Sequence, residues 1–531
     1  MDHLAPPSPI CMALSNPVVL QEIFQYKSLC GKELRLVSKL WNDVVLSLAK
    51  PKLCLQLNLK EKDACCDHAK FLKTIYPTLS TPKLCRSITI SKGCKRYVNF
   101  DDASTASNLI GTLHSRVAEI LILTVCNKYS DTIQEITVHC RVAVLPTLYQ
   151  SLSVYCPQLK RLTVECRPRG MDPALEKLGA PLPVKSKLEC IRFIMDDQAN
   201  PFMQQVLNAA PNLKTLFITG NLYPDLSQNP NLDHLCHIGR GGPSSRGFNG
   251  NALSRVISQV ANSLTQLKVG FNTYRGKYCP LTGPKEFSLP RNMPQLKILH
   301  NRCIDIFKCP DEMGGLIGAV KYQNLDQLIF GRSNAAGKDA LDNFLEKLFN
   351  CGDVLSRTVK KVVIKDVPES LGLLANLKIV YPAVTELELF FLRDDGITLR
   401  GDVNQAVFRS QIQLLLSIRG LTKITLNMTL ELSLSGLVKG LADNKYLFKG
   451  KELKQLKLLR GSDTDIIVDD LDDAGQTKRF GVGNFIQEFE NVLLAMKDLE
   501  LVEISAVTFR GPTAHRVISF IRDENLPVRF Y

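Results

Sequence analysis

The hexapeptide PQLKRL occupies residues 157–162, and close copies of it recur along the chain. Three copies keep the form P-[NQ]-L-[KD]-x-L, and they are PNLKTL from Pro211, PNLDHL from Pro230 and PQLKIL from Pro294. Two looser copies are NLDQL from Asn324 and PAVTEL from Pro382. If the first leucine is position one, apolar residues stand at positions one, four and six, and further matches begin at Leu188, Leu264, Val359, Leu421, Leu453 and Leu499. Most neighbouring starts lie 25 to 37 residues apart, which is the period of a solenoid.

The same pattern predicts a short strand in every repeat. Side chains alternate along a strand, so positions four and six point into a core, while positions three, five and seven point to the opposite face. The proline ends the preceding helix because it cannot continue one. Between the strands, apolar residues fall on one helical face at 253–261 and at 341–349. Strand, loop and helix in repetition predict an α/β solenoid, with a parallel sheet on the concave side of a horseshoe and helices outside.

This organisation resembles the leucine-rich repeat family in its longer α/β form, over residues 85 to 510. Repeat starts at Val117 and Ile133 are only 16 residues apart, so one of them is a short or false repeat. His237 and Asn301 occupy position six, which points inward. The acidic segment 463–479, DTDIIVDDLDDAGQTKR, is interpreted as a surface insertion.

Residues 15–42, SNPVVLQEIFQYKSLCGKELRLVSKLWN, have helical apolar spacing but are too few to enclose a core. PVVLQEIFQY followed by LRLVSKLWN resembles the F-box, a helical module that docks onto the Skp-family adaptor of a cullin–RING ubiquitin ligase. The segment departs from that family at Pro17, one position late, and at Lys27, where leucine is usual. The resemblance implies an adaptor-binding set of Pro17, Leu20, Ile23, Phe24, Leu34, Leu36, Val37, Leu40 and Trp41. An ordinary cap on the first repeat is the alternative interpretation.

These patterns predict four segments along the chain. They are a flexible N-terminus at 1–12, an F-box-like helical module at 13–50, a linker strand and helix at 51–84 that caps the solenoid, and the leucine-rich-repeat solenoid at 85–531. LCLQLNL at 53–59 alternates like a strand and is expected to begin the sheet.

Composition and charge exclude several classes of protein. A hydrophobic fraction of 45% with 22% charged residues is typical of a folded, soluble chain. No apolar run reaches the ~20 residues of a membrane span, and the first residues lack a signal-peptide pattern. We therefore expect a cytoplasmic or nuclear protein with no membrane partner, whose 17 cysteines are reduced core thiols. The net charge of +14 comes from interspersed basic and acidic residues, so nucleic acid is the less favoured partner.

No pattern in the sequence indicates catalysis, a metal site or a cofactor. Cys65, Cys66 and His68 lack the paired C-x(2–4)-C spacing of zinc sites. His234 and His237 would point to opposite faces of a strand. The glycine-rich segment from Gly239 matches neither a Walker nor a dinucleotide fingerprint, and no G-x-S-x-G elbow occurs. We therefore expect a protein that is not an enzyme.

The two resemblances together imply a substrate-recognition subunit of an SCF-type ubiquitin ligase. Its target is expected to bind positions three, five and seven of the repeats, which hold Arg161, Arg192, Phe217, His234, Lys268, His300, Arg302, Lys361, Lys365, Lys423 and Lys457. Acidic residues at these positions are fewer, namely Glu165, Glu386, Glu388 and Glu503. A mainly basic strip with an aromatic residue suits an acidic or phosphorylated target.

Three other interpretations of the same features stay open. The lysines could serve only to keep an exposed sheet soluble. The chain could be a non-degradative leucine-rich-repeat scaffold whose F-box no longer binds the adaptor. It could also be a nucleic-acid-binding solenoid, which a steep salt dependence of binding would reveal.

Overall fold

A computed structural model provides the structure of the protein. It describes residues 14–20, 40–41, 54–59, 86–92, 105–167, 180–195, 200–240, 249–272, 289–290, 292–302, 322–331, 345–346, 348–349, 356–365, 371–391, 413, 415–416, 418–428, 434–443, 448, 452–460, 467–468, 482–505, 508–509 and 511–530. The part of the predicted adaptor-binding set outside the described residues is Ile23, Phe24, Leu34, Leu36 and Val37. Cys65, Cys66 and His68 lie outside them as well.

Internal packing divides the chain into two compact units, Met1–Leu213 and Lys214–Tyr531. In the first unit the strands pair in parallel and follow one another in chain order. These strands are β1 (Cys54–Leu59), β2 (Ser87–Lys92), β3 (Glu135–Arg141), β4 (Arg161–Arg167) and β5 (Cys190–Ile194). The helices Thr105–Lys128 and Leu145–Val154 lie between these strands, with a 3-10 turn at Val142–Val144, and the helix Asn200–Asn208 follows β5.

The second unit repeats the arrangement with more strands, again paired in parallel and in chain order. Its main sheet contains β6 (Thr215–Thr219), β7 (His234–Arg240), β8 (Gln266–Asn272), β9 (Ile298–Asn301), β10 (Gln327–Gly331), β11 (Lys361–Lys365), β12 (Glu386–Phe391), β13 (Lys423–Met428), β14 (Gln455–Arg460), β16 (Leu501–Ile504) and β18 (Val528–Phe530). A separate pair joins β15 (Ile467–Val468) to β17 (Thr508–Phe509). The helical segments are Gly250–Gln259, Leu371–Asn376 (3-10), Leu377–Val380, Leu434–Asp443, Val482–Ala495 and Gly511–Asp523.

Each copy of the P-[NQ]-L motif forms a tight turn just before a strand. The amide of Leu213 donates to the Ala210 carbonyl at 3.2 Å, and the amide of Leu296 donates to the Met293 carbonyl at 3.1 Å. Proline is therefore the second residue of a four-residue turn, where its fixed φ is favourable and no amide donor is needed. The polar residue after it can join neighbouring repeats, as when Asn212 Nδ2 donates to the Ser186 carbonyl at 2.9 Å.

The core lies where the pattern predicts it, at positions one, four and six. Leu213, Leu216 and Ile218 are fully buried, whereas Phe217 between the last two is 38% exposed. The same alternation of buried and more exposed residues appears in β3 and β5 of the first unit. The predicted α/β leucine-rich-repeat architecture with a parallel sheet is therefore confirmed.

The structure also shows how several segments that depart from the repeat are folded. Val117 lies inside the helix Thr105–Lys128, so the repeat start assigned to it is false, while Ile133 is buried just before β3. Most of the acidic segment 463–479 lies outside the described residues, but Ile467–Val468 form a short strand paired with Thr508–Phe509. Cys156 and Cys166 are buried thiols, as predicted for core cysteines.

His237 shows how a polar residue is accommodated at an inward position. It is fully buried, its Nε2 donates to the Leu222 carbonyl at 3.0 Å, and its ring stacks on Tyr223 with centroids 5.4 Å apart. Burial lowers the pKa of His237 from 6.5 to about 4, although the hydrogen bond to Leu222 acts in the opposite direction. The folded protein therefore holds this imidazole in its neutral form.

Replacing Leu216 by alanine should lower the free energy of unfolding by about 2–5 kcal/mol, because a fully buried side chain leaves a cavity. The neighbouring Phe217→Ala removes a larger but partly exposed side chain and should cost less than about 1 kcal/mol. Urea unfolding followed by circular dichroism measures both variants. Equal losses would contradict the assignment of the two faces.

His237 should make stability depend on pH. Its pKa is about 4 in the folded chain and near 6.5 in the unfolded chain, so this stabilisation is complete above pH 6.5 and is lost as pH falls towards 4. His237→Gln keeps a donor for Leu222 but cannot take up a proton, so it should reduce the loss of stability on acidification by up to about 3 kcal/mol. Thermal unfolding of both proteins from neutral pH to about pH 4 is the measurement. Parallel curves would contradict the prediction.

Candidate protein-binding face of the sheet

The polar face of the second unit's sheet carries its side chains in straight rows. We call a row of residues paired by strand register a rung. The central rung holds the position-five residues Phe217, Cys236, Lys268, His300, Ile329, Val363, Glu388, Thr425, Lys457, Glu503 and Arg529. Parallel strands lie about 4.8 Å apart, so side chains in one rung can contact each other.

On the later strands, glutamates neutralise the lysines of this face. Lys423 Nζ lies 3.1 Å from Glu386, and Lys457 pairs with Glu503. Lys361 Nζ lies 2.8 Å from Glu388, which also accepts a hydrogen bond from Asn427 Nδ2 at 3.1 Å. The predicted basic strip is therefore not uniformly available, because these lysines already have acidic partners.

A second part of the face, which we call the basic cluster, consists of Lys268, His300, Arg302 and Lys365. Within the described part of the chain, neither Lys268 nor Arg302 has an acidic side chain within 4 Å. Lys365 Nζ lies over the Phe390 ring, 5.5 Å from its centroid. Burial, and then the charges of Lys268 and Arg302, lower the pKa of Lys365, while Glu388 raises it. The cluster therefore brings like charges together.

His300 lies at the centre of the basic cluster and is only 7% exposed. Burial is the main cause of its low pKa of about 3, and the charges of Lys268, Lys365 and Arg302 lower it further. Its Nε2 is buried and has no hydrogen-bond partner. His300 therefore stands on the polar face, as position five predicts, but most of its ring is covered by its neighbours. Its role in target binding stays a prediction.

Two glycines shape the basic cluster, and the sequence analysis did not identify them. Gly270 and Gly331 stand at position seven on either side of Arg302, since Asn301 pairs with both Val269 and Phe330. A Cβ on Gly270 would lie 3.0 Å from Arg302 Cβ. An alignment of the repeats by position would have revealed a glycine on each side of one arginine.

The other predicted target-binding residues are distributed more widely. His234 Nδ1 lies 3.2 Å from Asp233, and Phe217 is 38% exposed on the central rung. In the first unit Arg161 is exposed and lies 3.8 Å from Glu135, and Arg192 is exposed in β5. The structure brings together Lys268, His300, Arg302 and Lys365, and it does not join the full predicted set into one site.

At the N-terminus, the described members of the predicted adaptor-binding set differ in exposure. Pro17 is exposed and Leu40 is 36% exposed, whereas Leu20 is fully buried and fills a core. Trp41 donates from Nε1 to the Leu14 carbonyl at 3.2 Å, which ties the two described helical pieces together. Val18, which the sequence analysis did not select, is 67% exposed.

None of the helices in the described ranges combines the length and the apolar character needed to cross a membrane. Among the described side chains, no group of three or more His, Cys, Asp and Glu residues is placed to hold a metal ion. The described side chains of this face present charged groups, hydrogen-bonding groups and the exposed Phe217 ring.

Two lysines of the polar face should respond in opposite ways to the same change. Lys361→Met leaves Glu388 without its cation and should lower the free energy of unfolding by about 1 kcal/mol. Lys268→Met retains the apolar stem but removes repulsion from the basic cluster, so it should leave the melting temperature unchanged or raise it. Thermal unfolding at low salt compares the two variants. A larger loss for Lys268→Met would contradict the electrostatic account.

No protein-family model and no curated protein matches this sequence. Among solved structures, the chain is similar to one in the crystal structure of the Rad7 and Elc1 complex in yeast. The two share 15% sequence identity, the TM-score is 0.31, and the similarity covers 80% of this chain and 94% of that chain. This TM-score is too low to support any inference about this chain. The fold is established by the strands and turns of the chain itself.

Proposed function

We propose that this chain is a substrate-recognition subunit of an SCF-type ubiquitin ligase. Its N-terminal segment would bind a Skp-family adaptor and, through it, a cullin–RING ligase, while the polar face of the sheet would bind a target protein. The observation that carries the target-binding part is the basic cluster, where Lys268 and Arg302 have no acidic partner within 4 Å in the described residues. Charged groups that repel one another on an exposed face favour a ligand of opposite charge.

The adaptor-binding part is supported by the F-box resemblance and by apolar exposure at the N-terminus. Leu14, Val18 and Leu40 are 37%, 67% and 36% exposed. Large apolar side chains are favourable at the centre of a protein interface, where they are removed from water. The F-box resemblance supports a Skp-family adaptor as the occupant of this surface.

The proposed role is one of proximity and not of catalysis. Holding a target close to a charged ubiquitin-conjugating enzyme makes the transfer of ubiquitin effectively intramolecular. Such a subunit needs a binding surface at each end and no reactive group of its own. We propose that it acts in the cytoplasm, the nucleus or both.

The two alternative functions, a scaffold and a nucleic-acid-binding solenoid, predict different behaviour of the adaptor-binding and target-binding surfaces. A scaffold without adaptor binding would retain the target-binding face and fail to capture the adaptor. A nucleic-acid-binding solenoid would need a long run of available cations, whereas Lys361, Lys423 and Lys457 are paired with glutamates. That pairing favours a protein ligand.

Adaptor capture should depend on the exposed apolar residues at the N-terminus. The double variant Val18→Glu, Leu40→Glu places charges on this surface and should reduce co-purification of a Skp-family adaptor by about tenfold or more. The measurement is quantitative capture of purified adaptor on the immobilised full chain. Deletion of residues 1–50 should abolish capture completely.

Val184→Glu is the matched control, because Val184 is 69% exposed at a site remote in sequence from the F-box-like segment. It should capture the adaptor as well as the unaltered chain does. Equal capture by the double variant and the control would contradict the proposed adaptor surface. Loss of capture by both would show that any added negative charge interferes.

A further inference from the structure

We propose that Cys126 and Cys156 form an oxidation site at which a hydroperoxide closes a disulfide bond, with Lys185 as the cation that favours the reaction. The site lies in the first unit of the chain. It goes beyond the proposed function and depends neither on the ligase role nor on the polar face of the second unit. Hydrogen peroxide is the simplest reactant of this chemical class.

The repeat structure brings two thiols and one amine together. Cys126 lies in the last turn of the helix Thr105–Lys128, and Cys156 lies just beyond the end of the helix Leu145–Val154. Lys185 lies in the irregular segment that precedes β5. Both cysteines are free thiols that are almost completely buried, and the thiol of Cys126 hydrogen-bonds to the sulfur of Cys156. Two thiols in such contact need only a small movement to form a bond.

The backbone at Cys156 is unusual for a residue that carries a side chain. Its φ is 63°, which is left-handed, and it stands directly after the C-cap of the helix Leu145–Val154. Glycine is the residue that most often adopts this conformation after a helix. A non-glycine residue there has a conformational cost and can mark a functional position. The chain therefore places a thiol where a glycine would suit the backbone better.

Lys185 is a buried cation beside these thiols and is only 6% exposed. Its Nζ donates to the Tyr155 carbonyl at 2.8 Å, and among the described side chains no Asp or Glu lies within 4 Å of it. Burial lowers the pKa of Lys185, while the charges of Cys156 and Cys126 act in the opposite direction.

The same interactions favour the anionic form of Cys156. The hydrogen bond from Cys126 lowers the pKa of Cys156, burial raises it, and the charge of Lys185 lowers it, so that the pKa lies below its ordinary value. The thiolate is the form of cysteine that attacks peroxides. The buried ammonium and the thiolate therefore stabilise each other.

A second thiol pair in the first unit provides an internal comparison. Cys140 and Cys166 stand at paired positions of β3 and β4, with their Sγ atoms 3.4 Å apart. The hydrogen bond to Cys166, and then burial, raise the pKa of Cys140 well above its ordinary value, and the charge of Glu165 raises it further. This pair therefore stays protonated. The presence of Lys185 distinguishes the proposed site from it.

A small reactant can reach the thiols through a local opening. Val154 and Val184, which flank the hydrogen bond between Lys185 and Tyr155 in sequence, are 65% and 69% exposed, so the site lies close beneath the surface. Residues 181–185 form neither helix nor strand. Opening such a segment costs less free energy than unfolding the whole unit. Hydrogen peroxide is only slightly larger than water, so it needs no wider path.

The reaction proceeds in two balanced steps. The Cys156 thiolate attacks one oxygen of hydrogen peroxide, an S–O bond forms as the O–O bond breaks, and the departing hydroxide takes up the proton that Cys156 released. The thiolate of Cys126 then attacks the sulfur of the sulfenic acid. An S–S bond forms as the S–O bond breaks, and the second hydroxide takes up the proton from Cys126. Two thiols are oxidised to one disulfide, and the peroxide is reduced to two water molecules.

The test exposes the purified, reduced full chain to hydrogen peroxide. Remaining thiols are blocked with iodoacetamide, and disulfide-linked peptides are quantified by mass spectrometry. The bond between Cys126 and Cys156 should form at least about tenfold faster than the bond between Cys140 and Cys166, and dithiothreitol should reverse it. Equal rates for the two pairs, or no bond between Cys126 and Cys156, would overturn the proposal.

Two cysteine variants separate the two steps. Cys156→Gly suits the left-handed backbone, and without the first reacting thiol Cys126 should stay reduced in peroxide. Cys126→Ala retains a good helix former, and Cys156 should then accumulate as a sulfenic acid that dimedone labels. Oxidation of Cys126 at an unaltered rate in Cys156→Gly would overturn the proposal, as would the absence of dimedone label on Cys156 in Cys126→Ala.

Lysine variants test the cation. Lys185→Met should slow formation of the disulfide by about tenfold, whereas Lys185→Arg keeps the charge and should restore most of the rate. If Lys185 only held the helix end through the Tyr155 carbonyl, its loss would loosen the site and speed the reaction. Lys187→Met, at an exposed lysine two residues later, is the matched control and should change the rate by less than about twofold. An unaltered or faster rate in Lys185→Met would overturn the proposal.

Discussion

One repeated hydrogen-bond pattern sets the register of the sheet, and the arrangement of side chains on its polar face depends on this register. At the start of each repeat, a single carbonyl oxygen accepts two successive amides of the next strand. The Lys214 carbonyl accepts from Asp233 and His234, both at 2.9 Å, and the Thr265 carbonyl accepts from Lys297 and Ile298 at 2.8 and 3.0 Å. Since a slip of one residue would exchange the two faces of a strand, this anchoring places every position-five side chain in one rung.

Because the register is constant, side chains at the same position of successive repeats lie in one row across the whole face. Lysine and glutamate on neighbouring strands become partners because the register brings them to equivalent positions, as in Lys457 and Glu503, or to diagonal ones, as in Lys361 and Glu388. Where a strand offers glycine or an apolar residue instead, the neighbouring cation keeps its charge unmatched. Gly270 and Gly331 beside Arg302 create that situation. The unmatched positive charge of the face therefore lies where the regular alternation of charges is interrupted.

Two histidines, His237 on β7 and His300 on β9, show how a difference of one position in the repeat changes the surroundings of the ring. His237 stands at position six, so it enters the core, donates to Leu222 and stacks on Tyr223. His300 stands at position five, so its ring remains on the polar face among cations, with Nε2 unpartnered. Both rings are neutral in the folded protein. Each ring keeps one buried nitrogen without a hydrogen-bond partner, Nδ1 in His237 and Nε2 in His300.

The sequence by itself determined the repeat, the strands and the alternation of buried and polar positions, because side-chain periodicity and the P-[NQ]-L turn are local properties. It also indicated the inward placement of His237 and Asn301, which the structure confirms. Only the tertiary structure decided which cations on the polar face have acidic partners, because Lys361 meets Glu388 diagonally across two paired strands and not at the equivalent position of the repeat. For the same reason the burial of His300 and the close approach of Arg302 to Gly270 could not be predicted, since each depends on residues contributed by neighbouring repeats.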